Sequence, residues 1–303
     1  MKRQIVILMV LVGVCCALPS QAGHSSHYTN GVEGIKAGSL PPPGLYGRVY
    51  AVYYNADTMR DHSGDDLDLK LELDVMAVVP RLIWMTPLKI LGADYGMDIV
   101  LPYQRIDIEL GALNYADEQV GLGDLYIEPL LLGWNFDRFD LCAAAGVYFP
   151  TGHYDVDEAA SPGMGFRTYM FTLGGTYYFD EGKTWAASIL NRYEINDYRS
   201  DPSVRPGDCY HFEWGISNTF AEGWEAGLVG YCLWQITDDR GREATAGGND
   251  PEDHERVFAI GPGISYFIGP PVLWNVSLRW EHELGARDRA EGSLITLTLT
   301  KPF

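Results

Sequence analysis

Apolar and polar residues alternate along most of the chain between Gly44 and Phe303. A period of two predicts β-strands that carry one apolar face and one polar face. The pattern is clear in residues 295–300, where isoleucine and leucine occupy one parity and threonine the other. It predicts twelve strands, at residues 44–56, 66–83, 89–111, 121–134, 139–150, 164–179, 184–195, 208–220, 223–237, 254–268, 272–284 and 292–303.

The predicted connections alternate between short and long. The short ones are 84–88, 135–138, 180–183, 221–222 and 269–271, and the long ones are 57–65, 112–120, 151–163, 196–207, 238–253 and 285–291. Short turns at one end and long loops at the other are typical of outer-membrane barrels. We therefore predict an all-β fold, a transmembrane antiparallel up-and-down β-barrel of about twelve strands. A soluble periplasmic β-sandwich is the alternative, but it gives no reason for segregated loop lengths.

Aromatic residues support the barrel because they cluster near both ends of the predicted strands, as two interfacial girdles would. Near the short turns these are Trp84, Trp134, Phe136, Tyr178, Phe179, Trp185, Phe220, Trp224, Phe267, Trp274 and Phe303. Near the long loops they are Tyr50, Tyr53, Tyr54, Tyr148, Phe149, Tyr193, Tyr231, Trp234 and Trp280. In the third strand the charged residues change parity near Pro102, which predicts a β-bulge there.

The first residues read as a secretory signal peptide. A basic head, an apolar core at residues 5–18 and a small-x-small site at Ser20–Ala22 predict cleavage after residue 22. Residues 23–43 would form a periplasmic N-terminal leader, either a hatch that constricts the pore or a flexible segment, and residues 44–303 would form the barrel. The terminal Phe303 resembles the assembly signal of outer-membrane barrels.

Composition narrows the function classes. Lys and Arg number 22 against 41 Asp and Glu, which gives a net charge of −19. Nucleic acid is therefore an unfavourable partner. The mature chain would keep three cysteines, Cys142, Cys209 and Cys232, a number that argues against a disulfide framework.

Several short motifs occur in order along the chain. They are PPPGLY (41–46), DYG (94–96), LPY (101–103), GLGD (121–124), PTGHYD (150–155), YCLWQITDD (231–239) and GPG (261–263). Together they resemble a family of outer-membrane proteins named for a meta-cleavage pathway of phenol degradation. The resemblance implies a channel in the Gram-negative outer membrane for passive uptake of small hydrophobic or aromatic molecules, without a cofactor. Its partners would be outer-membrane lipid, the barrel-assembly machinery and the solute. Lys301 departs from the usual apolar residue near the end of the last strand.

We assign the polar parity of each strand to the barrel interior. The predicted lumen-lining acids are Asp68, Glu72, Asp74, Asp94, Asp98, Asp107, Glu109, Asp124, Glu128, Asp140, Glu194, Glu213, Glu225, Glu281 and Glu283, and the bases are Lys70, Arg105, Arg192 and Arg279. The excess of acids favours cations inside an open pore. The same residues could instead form a network that fills the barrel, since twelve strands lie between the filled and the open sizes.

The sequence contains no recognisable catalytic or metal-binding constellation. Ser277 and His282 have opposite parities on one strand, and no GxSxG motif is present. His24 and His27 are spaced like metal ligands but have no third ligand near them, and we interpret them as surface residues. The acidic loops 151–163 and 238–253 could bind a divalent cation or could simply be solvated. A closed structural or surface-interaction barrel and an outer-membrane lipid hydrolase are the alternatives to a channel.

Overall fold

The computed structural model describes residues 25–199, 201–245 and 250–303, and the predicted signal peptide and His24 lie outside these ranges. Within the ranges the chain forms no helix long and apolar enough to cross a bilayer. The strands are β1 (Gly44–Arg60), β2 (Leu71–Ile90), β3 (Ala93–Val100), β4 (Tyr103–Leu110), β5 (Tyr115–Leu122), β6 (Leu125–Asn135), β7 (Phe139–Phe149), β8 (Thr168–Tyr178), β9 (Trp185–Asn196), β10 (Val204–Arg205), β11 (Cys209–Ala221), β12 (Trp224–Gln235), β13 (Arg240–Gly241), β14 (Arg256–Ile268), β15 (Trp274–Arg287) and β16 (Arg289–Pro302).

The strands close into an antiparallel barrel, because β1 pairs with both β2 and β16. Around the ring the order is β1, β2, β3, β6, β7, β8, β9, β11, β12, β14, β15 and β16, which makes the twelve predicted strands. β4 continues β3 beyond Leu101–Pro102, and β5 leads into β6 through Gly123–Asp124. The short β10 and β13 pair with each other, and they join the loops that follow β9 and β12.

Two of the predicted long connections are wrong. β4 and β5 form a hairpin that turns between Leu110 and Tyr115, so most of residues 112–120 belong to a strand. Likewise, Asp288 alone separates β15 from β16, where 285–291 was expected to be a loop. In both places charged residues imitate a loop. Glu118 lies exposed on the outer face of β5, whereas Arg289 of β16 points inwards and pairs with Glu255 at 3.1 Å.

The predicted faces of β2 are inverted. Its odd-numbered residues point into the barrel, and Leu71 is buried there. Its even-numbered residues point outwards, and Met76 and Val78 are 53% and 51% exposed. Period two shows that a strand has two faces but not which one points inwards. At this part of the wall the interior is apolar and the outer face of the upper strand is charged, so the polar parity was assigned to the wrong side.

The predicted phase shift near Pro102 is also wrong. β2 keeps one register along β3 and β4, since Arg81 pairs with Val100 and Val78 pairs with Tyr103. The extra residue lies one strand later. Tyr103 pairs with Leu122 and Val100 pairs with Tyr126, so three steps on one strand oppose four on the other. The bulge therefore falls at Gly123–Asp124, where both residues are buried.

Candidate functional site: the barrel lumen

Residues 25–43, the luminal segment, run inside the barrel before β1 begins. Their first residue lies beside the long loops, where Ser25 Oγ donates to Glu255 at 2.6 Å. Their last polar residue lies beside the short turns, where Ser39 Oγ donates to Asp140 at 2.6 Å. The segment therefore passes along the length of the lumen, rather than lying outside its periplasmic end.

Acidic side chains on the barrel wall hold this segment along one side. Tyr28 donates its hydroxyl to Glu213 at 2.9 Å, and Lys36 forms an ion pair with Glu225 at 2.8 Å. The segment supplies hydroxyls, an ammonium group and backbone N–H groups, which are the donors that buried carboxylates require. Part of the predicted acidic surplus therefore binds the chain's own N-terminal residues instead of facing an open pore.

An ion-pair cluster lies midway along the lumen. Glu33 of the luminal segment contacts Arg48 Nη1 at 2.9 Å and Arg81 Nη1 at 2.5 Å. Arg81 Nη2 also contacts Asp98 at 2.5 Å and Glu128 at 3.5 Å. Removing one partner from such a buried network leaves an uncompensated charge, which costs roughly 3–5 kcal/mol. The cluster therefore ties the luminal segment to β1, β2, β3 and β6.

A second buried cluster lies nearer the long loops. Glu194 accepts hydrogen bonds from Ser26 Oγ at 3.0 Å, the backbone N–H of His27 at 2.7 Å and His211 Nε2 at 2.8 Å. The His27 ring stacks on Tyr148, with ring centroids 4.9 Å apart. Here the wall supplies the carboxylate and the His211 donor, and the luminal segment supplies the other two donors. One of these is the backbone N–H of His27, a residue that was predicted to lie on the surface.

The structure divides the predicted lumen residues into two groups. Those on the inner face are Asp98, Asp124, Glu128, Asp140, Arg192, Glu194, Glu213, Glu225, Arg279, Glu281 and Glu283, with Asp94 at the periplasmic rim, where it pairs with Lys89 at 2.7 Å. Asp68 and Lys70 instead lie exposed in the loop before β2, and Glu72, Asp74, Arg105, Asp107 and Glu109 lie on the outer face of β2 and β4. Glu72 and Asp74 lie outside because the faces of β2 are inverted. Those on β4 lie outside because β4 keeps the phase of β3 and the predicted shift near Pro102 is absent.

Several luminal residues were missed, because they share a parity with apolar residues. Arg48 and Arg81 are isolated charges on such faces, and Arg289 begins a strand that was read as a loop. Five tyrosines that were placed in the girdles also point inwards: Tyr50, Tyr54, Tyr148, Tyr178 and Tyr231. Four of them donate to luminal carboxylates, which are those of Glu33, Glu283 and Asp140. No signal in the sequence distinguishes these tyrosines from girdle residues.

A cavity of about 620 Å³ remains beside the luminal segment. One wall is an apolar row on β2, formed by Leu73, Val75, Ala77 and Val79, and the row ends at Arg81. Val52, Val100 and Ile106 from neighbouring strands extend this surface. Apolar solutes leave water favourably for such a surface. The lumen is therefore divided lengthwise, with a polar side occupied by the chain's own segment and an apolar side that holds space.

The inner loop, residues 150–167 between β7 and β8, covers this cavity from the side of the long loops. Ala160 is fully buried in an apolar cluster with Leu71, Ile108 and Leu110. Pro162 accepts a hydrogen bond from Gln104 Nε2 at 2.7 Å, and it lines the cavity. The backbone N–H groups of Ala159 and Ala160 donate to the side chains of Tyr115 and Asp117 on β5. The inner loop therefore closes the apolar side of the lumen, just as the luminal segment fills the polar side.

A serine–histidine contact occurs on the outer surface. His282 Nδ1 lies 2.9 Å from Ser293 Oγ of the adjacent strand, and His282 is exposed. The sequence excluded Ser277 as a partner of His282, but the pattern within one strand could not indicate this cross-strand neighbour. Within the described residues no carboxylate contacts the His282 ring, and no group of three or more potential ligands could hold a metal ion. Cys142, Cys209 and Cys232 are free thiols.

Two solved structures are similar to this chain. An outer-membrane channel from Pseudomonas putida F1 matches with a TM-score of 0.74 and 16% identity, over 91% of this chain and 100% of that chain. The translocator domain of the autotransporter NalP from Neisseria meningitidis matches with a TM-score of 0.51 and 11% identity, over 87% of this chain and 90% of that chain. At these identities the likeness shows the fold, a transmembrane barrel of the outer-membrane type. No curated protein matches the chain.

A family model covers most of the chain. It is described as "Putative MetA-pathway of phenol degradation", and it matches residues 56–299. The matched range includes every barrel strand at least in part, together with the bulge at Gly123–Asp124 and the inner loop. The chain belongs to this family.

Proposed function

We propose that this protein is an outer-membrane channel for passive uptake of small, uncharged, mainly apolar molecules. The observation that carries the proposal is the cavity of about 620 Å³ that runs between the luminal segment and the apolar row of β2. An apolar molecule gains free energy there at roughly 25 cal/mol for each Å² that it removes from water. The ionic groups around the cavity are largely paired with one another, so they offer little net attraction to a charged solute.

The luminal segment would act as the hatch of this channel. It occupies the polar side of the lumen, and its ion pair at Lys36 and its hydrogen bond at Ser39 hold it near the periplasmic end. The similarity to the outer-membrane channel from Pseudomonas putida F1 supports the channel function. A solute that follows the apolar row must still pass the Arg81 cluster, and we propose that movement of the luminal segment opens this passage.

Deletion of the luminal segment tests the proposal. Refolded protein that lacks residues 24–40 should show larger conductance steps in planar bilayers than the mature chain. Liposomes that contain the deleted form should take up phenol, which is neutral, faster than benzoate, which is an anion of similar size. Conductance and uptake that match those of empty liposomes, from a protein shown to be folded by heat-modifiable gel migration, would instead support a closed structural barrel.

Hydrolysis of lipid is the weaker candidate. The contact between His282 and Ser293 lies on the outer face, where lipid could reach it. A serine nucleophile also needs an oriented base and donors for the oxyanion. Two solved structures with a similar fold are named as a channel and a translocator domain. Release of fatty acid from mixed micelles that is lost on Ser293→Ala would revive this candidate.

A further inference from the structure

The carboxylate of Asp124 connects the luminal segment to the inner loop. Its Oδ2 accepts hydrogen bonds from His27 Nε2 at 2.9 Å and from the backbone N–H of Met164 at 2.8 Å. Its Oδ1 accepts the backbone N–H of Gly152 at 2.8 Å. Gly152 and Met164 lie near the two ends of the inner loop. One side chain therefore holds both ends of that loop and, at the same time, the beginning of the luminal segment.

The hydrogen bonds around His27 fix its protonation state. The side-chain amide of Asn196 donates to the carbonyl oxygens of Ser25 at 2.5 Å and Gly207 at 2.8 Å, so its oxygen faces Thr168. The Thr168 hydroxyl must then donate to that oxygen, at 2.6 Å. Its single proton is used, and toward His27 Nδ1, also 2.6 Å away, Thr168 Oγ1 can only accept.

Both ring nitrogens of His27 consequently donate, Nδ1 to Thr168 and Nε2 to the carboxylate of Asp124. An imidazole that donates from both nitrogens is the imidazolium cation. The His27 and Asp124 side chains are only 2% and 3% exposed, so water does not compete for this charge-assisted hydrogen bond. The face of the Tyr148 ring, stacked at 14°, further favours the cation.

The other charged and titratable groups around His27 come from several elements. Glu194 on β9 accepts its backbone N–H, and His211 on β11 donates to the same carboxylate. Arg199, in the loop after β9, lies over the ring of Phe166, which makes an edge contact with His27. The imidazolium thus has carboxylates on two sides. The Arg199 guanidinium lies beyond the Phe166 ring, and that of Arg192 lies 3.8 Å over the ring of Tyr28, the next residue along the chain.

We infer that Asp124 is a positioning residue that couples the luminal segment to the inner loop, with protonated His27 as the latch between them. This inference rests on the proposed channel function. Neutral His27 can donate from only one nitrogen, so loss of its proton breaks either the bond to Asp124 or the bond to Thr168. The closed arrangement holds the proton, and closure is therefore strongest at low pH. It weakens when that proton is lost at higher pH.

The coupling means that the luminal segment and the inner loop loosen together. When the bond from His27 is lost, the Asp124 carboxylate keeps only its two backbone donors and becomes exposed to water that enters beside the luminal segment. The inner loop then loses the buried environment that makes those bonds strong. Release of the luminal segment, on the polar side of the lumen, thereby loosens the inner loop, which closes the apolar side.

Cysteine labelling of the inner loop tests the coupling in the folded protein. Ala160→Cys reports opening, because Ala160 is fully buried, and Val156→Cys in the same loop serves as the exposed reference. Both are introduced into mature protein in which Cys142, Cys209 and Cys232 are replaced by alanine. The ratio of the two labelling rates cancels the intrinsic pH dependence of the thiol. We expect this ratio to rise about tenfold between about pH 6 and about pH 8.5, the loss of one buried charged hydrogen bond.

Three variants separate coupling from a general loss of packing. His27→Gln and Asp124→Asn should give a high ratio at every pH and abolish the pH step. Lys36→Met is the matched control, because it breaks an ion pair at the other end of the luminal segment without touching the inner loop. It should raise conductance while the pH step at Ala160→Cys persists.

The inference is overturned if the labelling ratio shows no pH step in protein that keeps His27 and Asp124. It is also overturned if the pH step survives His27→Gln. The first readout needs no substitution of the latch itself, so it stands even if His27→Gln fails to fold. Labelling does not depend on conductance. A channel that never conducts but shows the pH step would therefore refute the proposed function while leaving the coupling intact.

Discussion

Glu33 and Arg81 form an ion pair of 2.5 Å that joins the luminal segment to the wall strand β2. Glu33→Gln keeps the side-chain size and removes the charge from this contact and from the contact with Arg48. We expect the segment to lose on the order of 3 kcal/mol of binding free energy to the wall, which is roughly a hundredfold in its open-to-closed ratio.

Single-channel recording measures this change as a rise in the fraction of time spent in the larger conductance state. Ser39→Ala is the matched control, because it removes a hydroxyl donor near the end of the same segment. Its effect should be only about 1 kcal/mol. An unchanged recording for Glu33→Gln would mean that the cluster does not hold the segment in place.

The inverted faces of β2 can be tested with two lysines. Val78 points outwards and Val75 lines the cavity. Val78→Lys should destabilise the inserted barrel by up to about 2–4 kcal/mol, depending on its depth in the bilayer. Val75→Lys should leave the free energy of unfolding close to that of the parent but slow the uptake of apolar solutes, because an ammonium group then lies beside the apolar row.

Denaturant unfolding in liposomes and solute uptake by the same preparations separate the two effects. The sequence pattern alone predicted the opposite result, with Val75 facing lipid. A larger loss of stability for Val75→Lys than for Val78→Lys would therefore restore the original assignment of the two faces.

Asp180 stabilises the turn between β8 and β9 in a pH-dependent way. Backbone N–H groups of Trp185 and Thr184 donate to its carboxylate, and these bonds hold the pKa of Asp180 below its ordinary value. The lowered pKa means that its contribution is complete above about pH 4 and is lost as the pH falls through the folded-state value. Asp180→Ala should remove this component from the stability profile measured between about pH 5 and about pH 2.5.

The neighbouring Glu181 provides the control, because within the described part of the chain the hydrogen bonds of this turn go to Asp180 and not to Glu181. Glu181→Ala should keep the pH dependence of the parent protein. Identical profiles for Asp180→Ala and the parent would show that the turn contributes nothing to stability.

Phe303 is predicted to act in assembly rather than in stability. Its ring is 76% exposed, and its backbone N–H donates to Leu45 at 2.9 Å, a bond that any residue could make. Phe303→Ala should therefore change the free energy of unfolding by no more than about 0.5 kcal/mol. In cells the folded, heat-modifiable fraction in the outer membrane should fall, while refolding of the purified chain into detergent should be unaffected. Equal folded fractions in cells would remove the assembly role.

The barrel was predictable because its strongest signals are local. Alternation of period two and the spacing of turn residues define the number of strands and their order, and both depend only on neighbouring residues. The assignment of faces was less secure. It assumed that every strand meets lipid outside and water inside, and β2 and β4 violate that assumption over part of their length.

The luminal network could not have been derived from the sequence. In the sequence Tyr50 resembles a girdle residue and Arg81 an isolated charge. Their shared role appears only in the fold, where the luminal segment brings Glu33 between them. The role of Asp124 depends on a bulge whose extra residue appears only in the cross-strand register. These contacts join residues 17, 48 and 97 positions apart, and no local pattern records them.

The hairpin of β4 and β5 changes where a solute first meets the protein. Its outer face is charged, with Arg105 paired to Glu118 at 2.8 Å, and its inner face is apolar. A strand of nine to eleven residues suffices to span the bilayer, whereas β2 alone has 20 residues. The apolar interior thus continues above the hydrocarbon layer, behind a water-compatible exterior. Ile108 and Leu110 of this interior are buried against Ala160 of the inner loop. An apolar molecule that arrives from outside could therefore leave water in this raised apolar space, without first dissolving in the membrane, only once the inner loop has moved aside.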